Sequence, residues 1–344
     1  MPTHSHPLIA VIIVGYQSIK DLPDCLDSIY ASTYEHFQVF FVDNASADGS
    51  LEYVIKNYPK ATAIDAGGNL GFAAGNTIGI KKALEAGADY CFLLNPDTVI
   101  SKTCLEELSG ASDGNTILQP LILLHENGQA TDLVNTWGNP LHYLGFSYAG
   151  GNKESRPSGG GTDIALASGA AVLFPRQVFE NIGYFDETFF MYHEDVDLSW
   201  RARLAGYQIR SLYAAQVWHK YTFSKNSRKF YFAERNRLLF IIKCYQLKTL
   251  LLILPIGLLT ELFLLLYALT QKAFLAKLHS WGSVLVLLPR ILKERKTVQK
   301  LRTLSDKQLY GLMSSNLQFS EVSSAPVRLY NILSRGYWAL IRHL

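Results

Sequence analysis

Short, uninterrupted apolar runs recur along the first hundred residues, at Leu8 to Val14, Gln38 to Val42, Ala61 to Ile64 and Tyr90 to Leu94, and each ends in a polar loop. Runs that are apolar on both faces suit strands buried inside a sheet. Between them Leu22, Cys25, Leu26 and Ile29 repeat at helical spacing over Asp21 to Tyr30. A further helix is expected from near Ala73 to Ala86, with Ile78, Ala83 and Leu84 facing the sheet. Strand and helix alternating at about 25 to 30 residues per unit predict an α/β fold, a doubly wound parallel sheet with right-handed crossovers. In such sheets ligands sit beyond the carboxyl ends of the strands. The loops to watch are therefore Gly15-Tyr16, Asp43 to Ser50, Gly67 to Phe72 and Asn95-Pro96-Asp97, where proline ends the strand and holds Asp97 at its tip.

Farther on the rhythm weakens. Thr116 to Leu124 reads as a strand, and Gly128 to Gly161 as a loop-rich stretch most flexible at Ser158 to Gly161. Its aromatic residues Trp137, Tyr143, Phe146 and Tyr148 suit either a sugar or lipid acceptor site or a small core of the loop's own. Ala165 to Pro175 is a strand of small residues. Glu194, Asp195 and Asp197 then open a helix with Leu198, Ala202 and Ala205 on one face, and Ile209 to Ala214 is a strand leading to Val217-Trp218-His219.

Charge and composition remove several classes. The 344 residues allow a catalytic-sized core with an appendage, and a net charge of +3 without a recognition motif argues against nucleic acid. Four cysteines without paired spacing fit a reducing compartment. The first apolar run follows no basic start and is too short for a signal peptide. Gly67-Gly68-Asn69-Leu70-Gly71 is not the dinucleotide spacing and follows the third strand, and no phosphate-binding G-x-x-x-x-G-K-[ST] loop exists. A sugar-1-phosphate nucleotidyltransferase would need a basic glycine loop after the first strand, where Gly15-Tyr16-Gln17-Ser18 carries no charge.

Candidate chemistry gathers in two places. Asp43 matches the carboxylate that nucleoside-binding α/β domains turn toward ribose or base, although an Asx turn or helix cap accounts for it too. The acids near 195 either stabilise a helix dipole or, partly desolvated by flanking aromatic residues, supply a general base. His219 is either a structural residue or a metal ligand.

Taken in order, Val14-Gly15-Tyr16, Val42 to Ser50, Gly68 to Asn76, Leu94 to Thr98, Ser168-Gly169-Ala170, Phe185-Asp186-Glu187, Glu194 to Leu198 and Trp218-His219 resemble the inverting family 2 glycosyltransferases, rhamnosyltransferase-like subgroup. The resemblance spans residues 8 to about 240. It implies the nucleotide-diphospho-sugar transferase (glycosyltransferase A-type) fold, with a mostly parallel Rossmann-like sheet. It also implies a nucleotide-diphospho-sugar donor and a hydroxyl acceptor on a glycan or lipid-linked glycan, as in cell-surface polysaccharide synthesis. By the same resemblance Asp43 and Asn44 meet the base or ribose, and the loops of Gly15, Tyr16, Gly68, Asn69 and Asn76 lie along the nucleotide. Asn95 replaces the first acid of the usual Asp-x-Asp. Asp97 and His219 hold Mg2+ or Mn2+, and Asp195 is the base, with Glu194 a competitor for that role. A binding-only relative or a membrane scaffold is the alternative function. Nothing in the pocket loops excludes a UDP or GDP sugar in place of a deoxythymidine-diphosphate one.

The expected organisation is a catalytic domain over 1–240, a hydrophobic and basic membrane-associated helical region over 241–304, and a helical tail over 305–344. Thr249 to Thr270 is 22 residues long with Glu261 its only charge. A single span would carry Lys272, Lys277, Arg290, Lys293, Arg295, Lys296, Lys300 and Arg302 away from the cytosolic donor, against the positive-inside tendency. An amphipathic or re-entrant hairpin on the cytoplasmic face of the cell membrane is expected instead, with a helix packed on the catalytic domain or in a dimer interface as the soluble alternative.

Overall fold

The computed structural model describes residues 6–221, 227–317 and 325–344. The N-terminal lead 1–5 and the tail residues 318–324, both part of the sequence reading, lie outside the described residues. The chain runs through β1 (Ile9–Gly15), α1 (Leu22–Tyr30), β2 (Phe37–Asp43), α2 (Ser50–Asn57), β3 (Thr62–Asp65), α3 (Gly71–Glu85) and β4 (Tyr90–Leu94). It continues with β5 (Thr98–Ile100), α4 (Cys104–Ala111), β6 (Thr116–Glu126), β7 (Gln129–Thr136), β8 (Leu141–His142), β9 (Gly161–Asp163) and β10 (Ala171–Pro175). Next come α5 (Arg176–Ile182), α6 (Glu194–Leu204), β11 (Gln208–His219), α7 (Ser227–Cys244), α8 (Leu247–Thr270) and α9 (Phe274–Leu301). Short elements α10 (Asp306–Leu309) and β12 (Met313–Ser314) precede α11 (Ala325–Ile341). Two compact units result, one of Met1–Asn139, Ala149–Met191 and Tyr207–Thr222, the other of Pro140–Tyr148, Tyr192–Gly206 and Phe223–Leu344.

The first unit is built on one mixed sheet in the order β3-β2-β1-β4-β10-β6-β11-β5. The four apolar runs form its parallel half, β3-β2-β1-β4. β10 then pairs antiparallel with β4 and β6, so the sheet is not parallel throughout. β4 lies between β1 and β10, which is why Tyr90 to Leu94 are buried on both faces. Ala83 and Leu84 of α3 are buried as expected, while Ile78 is half-buried and Gly75 and Gly79 take the close approach to the sheet. A Cβ at Gly75 would stand 2.6 Å from Val14, and one at Gly79 would stand 2.5 Å from Ile12. Part of the stretch 128–161 that reads as loop is strand, because β7 pairs with β6 and β9 with β11. Ala165 to Ala170 precede the strand rather than belonging to it.

The second unit is helical apart from the two-residue strands β8 and β12, which pair with each other. Tyr143 and Phe146 are buried here; Tyr143 stacks on Trp338, and Arg237 lies over the Phe146 ring. Those two aromatic residues thus pack against α7 and α11 instead of forming a core within the loop. α8 is the one described helix long and apolar enough to cross a membrane. Its outward residues include Leu247, Leu251, Leu254, Leu258, Leu262, Leu266 and Leu269, a stripe at helical spacing flanked by Leu259, while Thr249 and Thr260 are buried. Its one acid also points inward. Glu261 meets Arg237, Lys277 at 2.8 Å and the indole nitrogen of Trp281 at 2.7 Å, and Lys277 and Arg237 also hold the buried Glu234.

Candidate active site

Three strand ends and one loop of the first unit are tied together by their own polar groups. Gly15 and Asp43 end neighbouring strands in register, and the Asn44 amide donates to the Gly15 carbonyl at 2.8 Å. Gly15 has to be glycine, since a Cβ would lie 2.6 Å from Phe41 and Ser18. The backbone nitrogens of Gln17, Ser18 and Ile19 donate to Ser46, Ser50 and Asp48 across the gap between the two loops. Burial works against the Asp48 carboxylate, yet hydrogen bonds from Ser50 and Ile19 hold it below its usual range. This lacework leaves Tyr16, 54% exposed, at the rim.

Asp43 and Asn44 are both buried but in different chemical states. Asn44 is spent inside the protein, donating to the Gly71 carbonyl at 2.9 Å and accepting from Leu70 at 3.2 Å, so it fixes the loop that contains Asn69. Asp43 accepts from Ser46 through Oδ2 at 2.9 Å, the Asx turn expected of it, while Oδ1 is buried with no hydrogen-bond partner. A buried carboxylate oxygen left without a donor is costly, and a ligand hydroxyl or N–H repairs that cost. Gly68 faces nothing within 4 Å beyond Leu70, and the Asn69 side chain accepts from Gly71 at 3.1 Å. Asn76 is buried on α3 and donates to the Phe72 carbonyl at 2.9 Å.

Asp97 and His219 are brought together by pairing of the strands that follow and precede them. Thr98 opens β5 opposite His219, the last residue of β11, and a register shift between Leu212 and Gln216 sets where that strand ends. The Thr98 hydroxyl donates to the Asn95 carbonyl at 2.6 Å, closing the turn around Pro96. His219 Nε2 then stands 3.2 Å from Asp97 Oδ1, and Lys220 donates its amide to the Asp97 carbonyl at 2.8 Å. His219 Nδ1 lies 3.0 Å from Asn135 Oδ1. An amide oxygen only accepts, so Nδ1 carries the hydrogen and Nε2 turns its lone pair toward the carboxylate. Two lone pairs facing each other require a proton or a cation between them. The pair therefore fits a divalent ion, although among the described residues no group of three or more His, Cys, Asp or Glu gathers as a metal site. Asn135 had no signal in the sequence; it matters only because β7 runs beside β6.

The acid helix lies in the second unit. Phe190, Tyr192 and His193 all take φ between 62° and 67°, a left-handed backbone rarely held by such bulky residues. Two hydrogen bonds help hold the turn: Asn236 donates to the Tyr192 carbonyl at 2.6 Å, and His193 Nε2 donates to the Gly145 carbonyl at 3.1 Å. Desolvation pulls the His193 imidazole down to about 4, so it stays neutral. Glu194 is buried with Oε2 unpartnered, and burial first, then the neighbouring Asp195, push its carboxyl well above the usual range. Asp195 is half-buried and accepts from Val196 at 2.8 Å. Asp197 is fully buried between Arg201 at 2.8 Å and Lys243 at 2.9 Å, which anchors the helix.

A sheet with a parallel nucleotide-binding half and polar strand ends, continued by antiparallel strands, defines the glycosyltransferase A-type fold. The solved structure of GalNAc-T7 with UDP, GalNAc and Mn2+ shares it at a TM-score of 0.58 and 14% identity, over 71% of this chain and 49% of that one. The chain belongs to the glycosyltransferase-like family 2, whose family model matches residues 6–240. It is similar to the low-salt glycan biosynthesis hexosyltransferase Agl10 of Haloferax volcanii, 30% identical over 238 residues, covering 67% of this chain and 74% of the relative. It is also similar to the N-acetylglucosaminyl-diphospho-decaprenol L-rhamnosyltransferase of Mycobacterium tuberculosis, 27% identical over 238 residues, covering 62% and 76%.

Proposed function

We infer that this glycosyltransferase moves a hexosyl residue, rhamnose among the candidates, from a nucleotide-diphospho-sugar to a hydroxyl of a lipid-linked glycan, with inversion and with a divalent cation. Two observations on the polar strand ends of one sheet carry the donor half: Asp43 Oδ1 is buried without a donor, and His219 Nε2 faces Asp97 Oδ1 at 3.2 Å. Asp43 takes a hydrogen bond from ribose or base, with Gly15, Tyr16, Gly68 and Asn69 alongside the nucleotide. Asn44 and Asn76 hold the backbone of those loops. Asp97 and His219, with Asn95 beside them, would hold Mg2+ or Mn2+, which when bound supplies charge neutralisation for the diphosphate leaving group. Asp195 accepts the proton of the attacking hydroxyl, while burial and the neighbouring Asp195 shift Glu194 toward the protonated acid.

The acceptor half rests on the outward leucines of α8, which favour a lipid environment, and on the relative whose name places its acceptor on decaprenyl diphosphate. The donor is cytosolic, so the hairpin of α8 and α9 lies on the cytoplasmic face of the membrane. Incubation with a panel of nucleotide-sugars, reading nucleoside-diphosphate release with and without chelator, tests the reading. Release from one donor that stops on chelation and returns with Mg2+ or Mn2+ is expected. No release from any donor, or release indifferent to chelator, contradicts it.

A further inference from the structure

α7 and α9 flank an open groove of about 570 Å³ on the helical unit, remote in sequence from the donor loops and serving no purpose assigned so far. Its volume falls within the roughly 300–1,000 Å³ usual for small-molecule sites. One end is polar. Arg235, only 8% exposed, donates Nε to Asn236 Oδ1 at 2.8 Å and lies with its guanidinium over the Tyr231 and Phe232 rings at 5.5 and 4.9 Å, and the Tyr231 and Ser283 hydroxyls meet at 2.8 Å near His279. The other end is apolar and open: Val286 is 80% exposed and continues into Leu285 and Leu292 on the outer side of α9. Gly282 floors the groove, where a Cβ would meet nothing within 4 Å.

A planar guanidinium held in place by aromatic rings, with hydroxyls at hand, recognises phosphate oxygens. The field agrees, since α7 and α9 together carry eleven Lys and Arg against two Glu, and eight of the eleven remain once Arg237, Lys243 and Lys277 are set against Glu234, Glu261 and Asp197. An apolar mouth that opens among exposed leucines suits a hydrocarbon chain and not a sugar or a nucleotide. We propose that this groove binds the phosphate headgroup and first isoprenoid units of a polyprenyl-phosphate lipid, the carrier on which the acceptor glycan is built. The proposal rests on the lipid-linked acceptor inferred above and names where its carrier is held.

The test titrates the full chain in detergent micelles with farnesyl diphosphate, farnesol and inorganic diphosphate, read by calorimetry. Farnesyl diphosphate should bind at least about tenfold tighter than either fragment, a difference of about 1.4 kcal/mol. Gly282→Leu fills the groove and Arg235→Met removes the anion contact; each should weaken farnesyl diphosphate about tenfold while nucleotide-sugar affinity is unchanged. Gly282→Leu also replaces a helix-interior glycine in open space, so its Tm should not fall. Inorganic diphosphate binding as tightly would make this a free-anion site, and farnesol binding as tightly would make it an apolar surface only. Wild-type affinity in Gly282→Leu would place the lipid elsewhere, and a dimer in the wild type that Gly282→Leu dissociates would make the groove a subunit contact; any of these overturns the proposal. Failure of the function itself reads differently, as absence of donor turnover on a water-soluble glycan acceptor, which Gly282→Leu should leave at the wild-type rate.

Discussion

The two units sort the same residue types in opposite directions. In the α/β unit the apolar runs of β1 and β4 go inside and the polar residues collect at strand ends, as in any protein whose solvent is water. In the helical unit Glu234, Arg237, Lys277 and much of Glu261 are inside, while α8 turns a row of leucines outward. In water that arrangement costs the desolvation of four charges and leaves the apolar area unburied. The lipid contact proposed above would cover that apolar area. The two units thus divide the proposed roles, with the donor loops and the Asp97–His219 pair in one and the acid helix and the proposed lipid contact in the other.

The largest effect that would break this division is at the donor site. Asp97→Ala should reduce turnover at least about 10²-fold, since it removes one of two proposed ligands, while the half-exposed carboxylate takes no core packing with it and the Tm stays near wild type. Asp195→Asn should lower kcat by about 10²-fold or more with donor affinity unchanged, as expected for loss of a base. A larger loss in Glu194→Gln than in Asp195→Asn would move the base to Glu194.

The inverted unit is sharpened by two substitutions that behave alike in an ordinary soluble helix and differently here. Glu261→Leu leaves two buried cations, Arg237 and Lys277, sharing the single carboxylate of Glu234 and should cost about 3 to 5 kcal/mol of stability in thermal denaturation, although it makes α8 more apolar. Leu258→Asp, Leu262→Asp and Leu266→Asp combined, all at exposed positions, should leave the Tm within a few degrees of wild type and release the protein from anionic vesicles on flotation. The smallest effect is one of pH. The folded-state pKa of Glu194 is raised above the ordinary 4.5, so its contribution to stability is intact below that value and is lost as pH rises through the folded pKa. Glu194→Gln should therefore flatten the decline of Tm with rising pH and change turnover less than tenfold.

What could be read from sequence followed from local chemistry. Tyr90 to Leu94 could only be a strand buried on both faces, and Asn95-Pro96-Asp97 could only turn at its end. Patterning could not say which glycines pack: Ile78 looked like the helix's sheet contact, whereas Gly75 and Gly79 are, because close approach is a matter of what is absent from a side chain. The extension of β11 to His219 hides behind a register shift, and Asn135, which sets the imidazole's hydrogen, becomes relevant only through pairing across the sheet. Asp197 looked equivalent to its acidic neighbours in sequence, yet Arg201 and Lys243 enclose it. The outward leucines were legible as a long apolar run, but the inward turn of Glu261 needed three partners from two other helices.

The most direct test of the division of labour is the initial rate of nucleoside-diphosphate release on vesicles carrying a polyprenyl-diphosphate-linked glycan, compared between wild type and the triple leucine-to-aspartate variant. The account predicts that the wild type is fast and salt-sensitive on vesicles, and that the variant loses that rate while matching wild type on a water-soluble glycan. Equal rates for the two proteins on vesicles would contradict it.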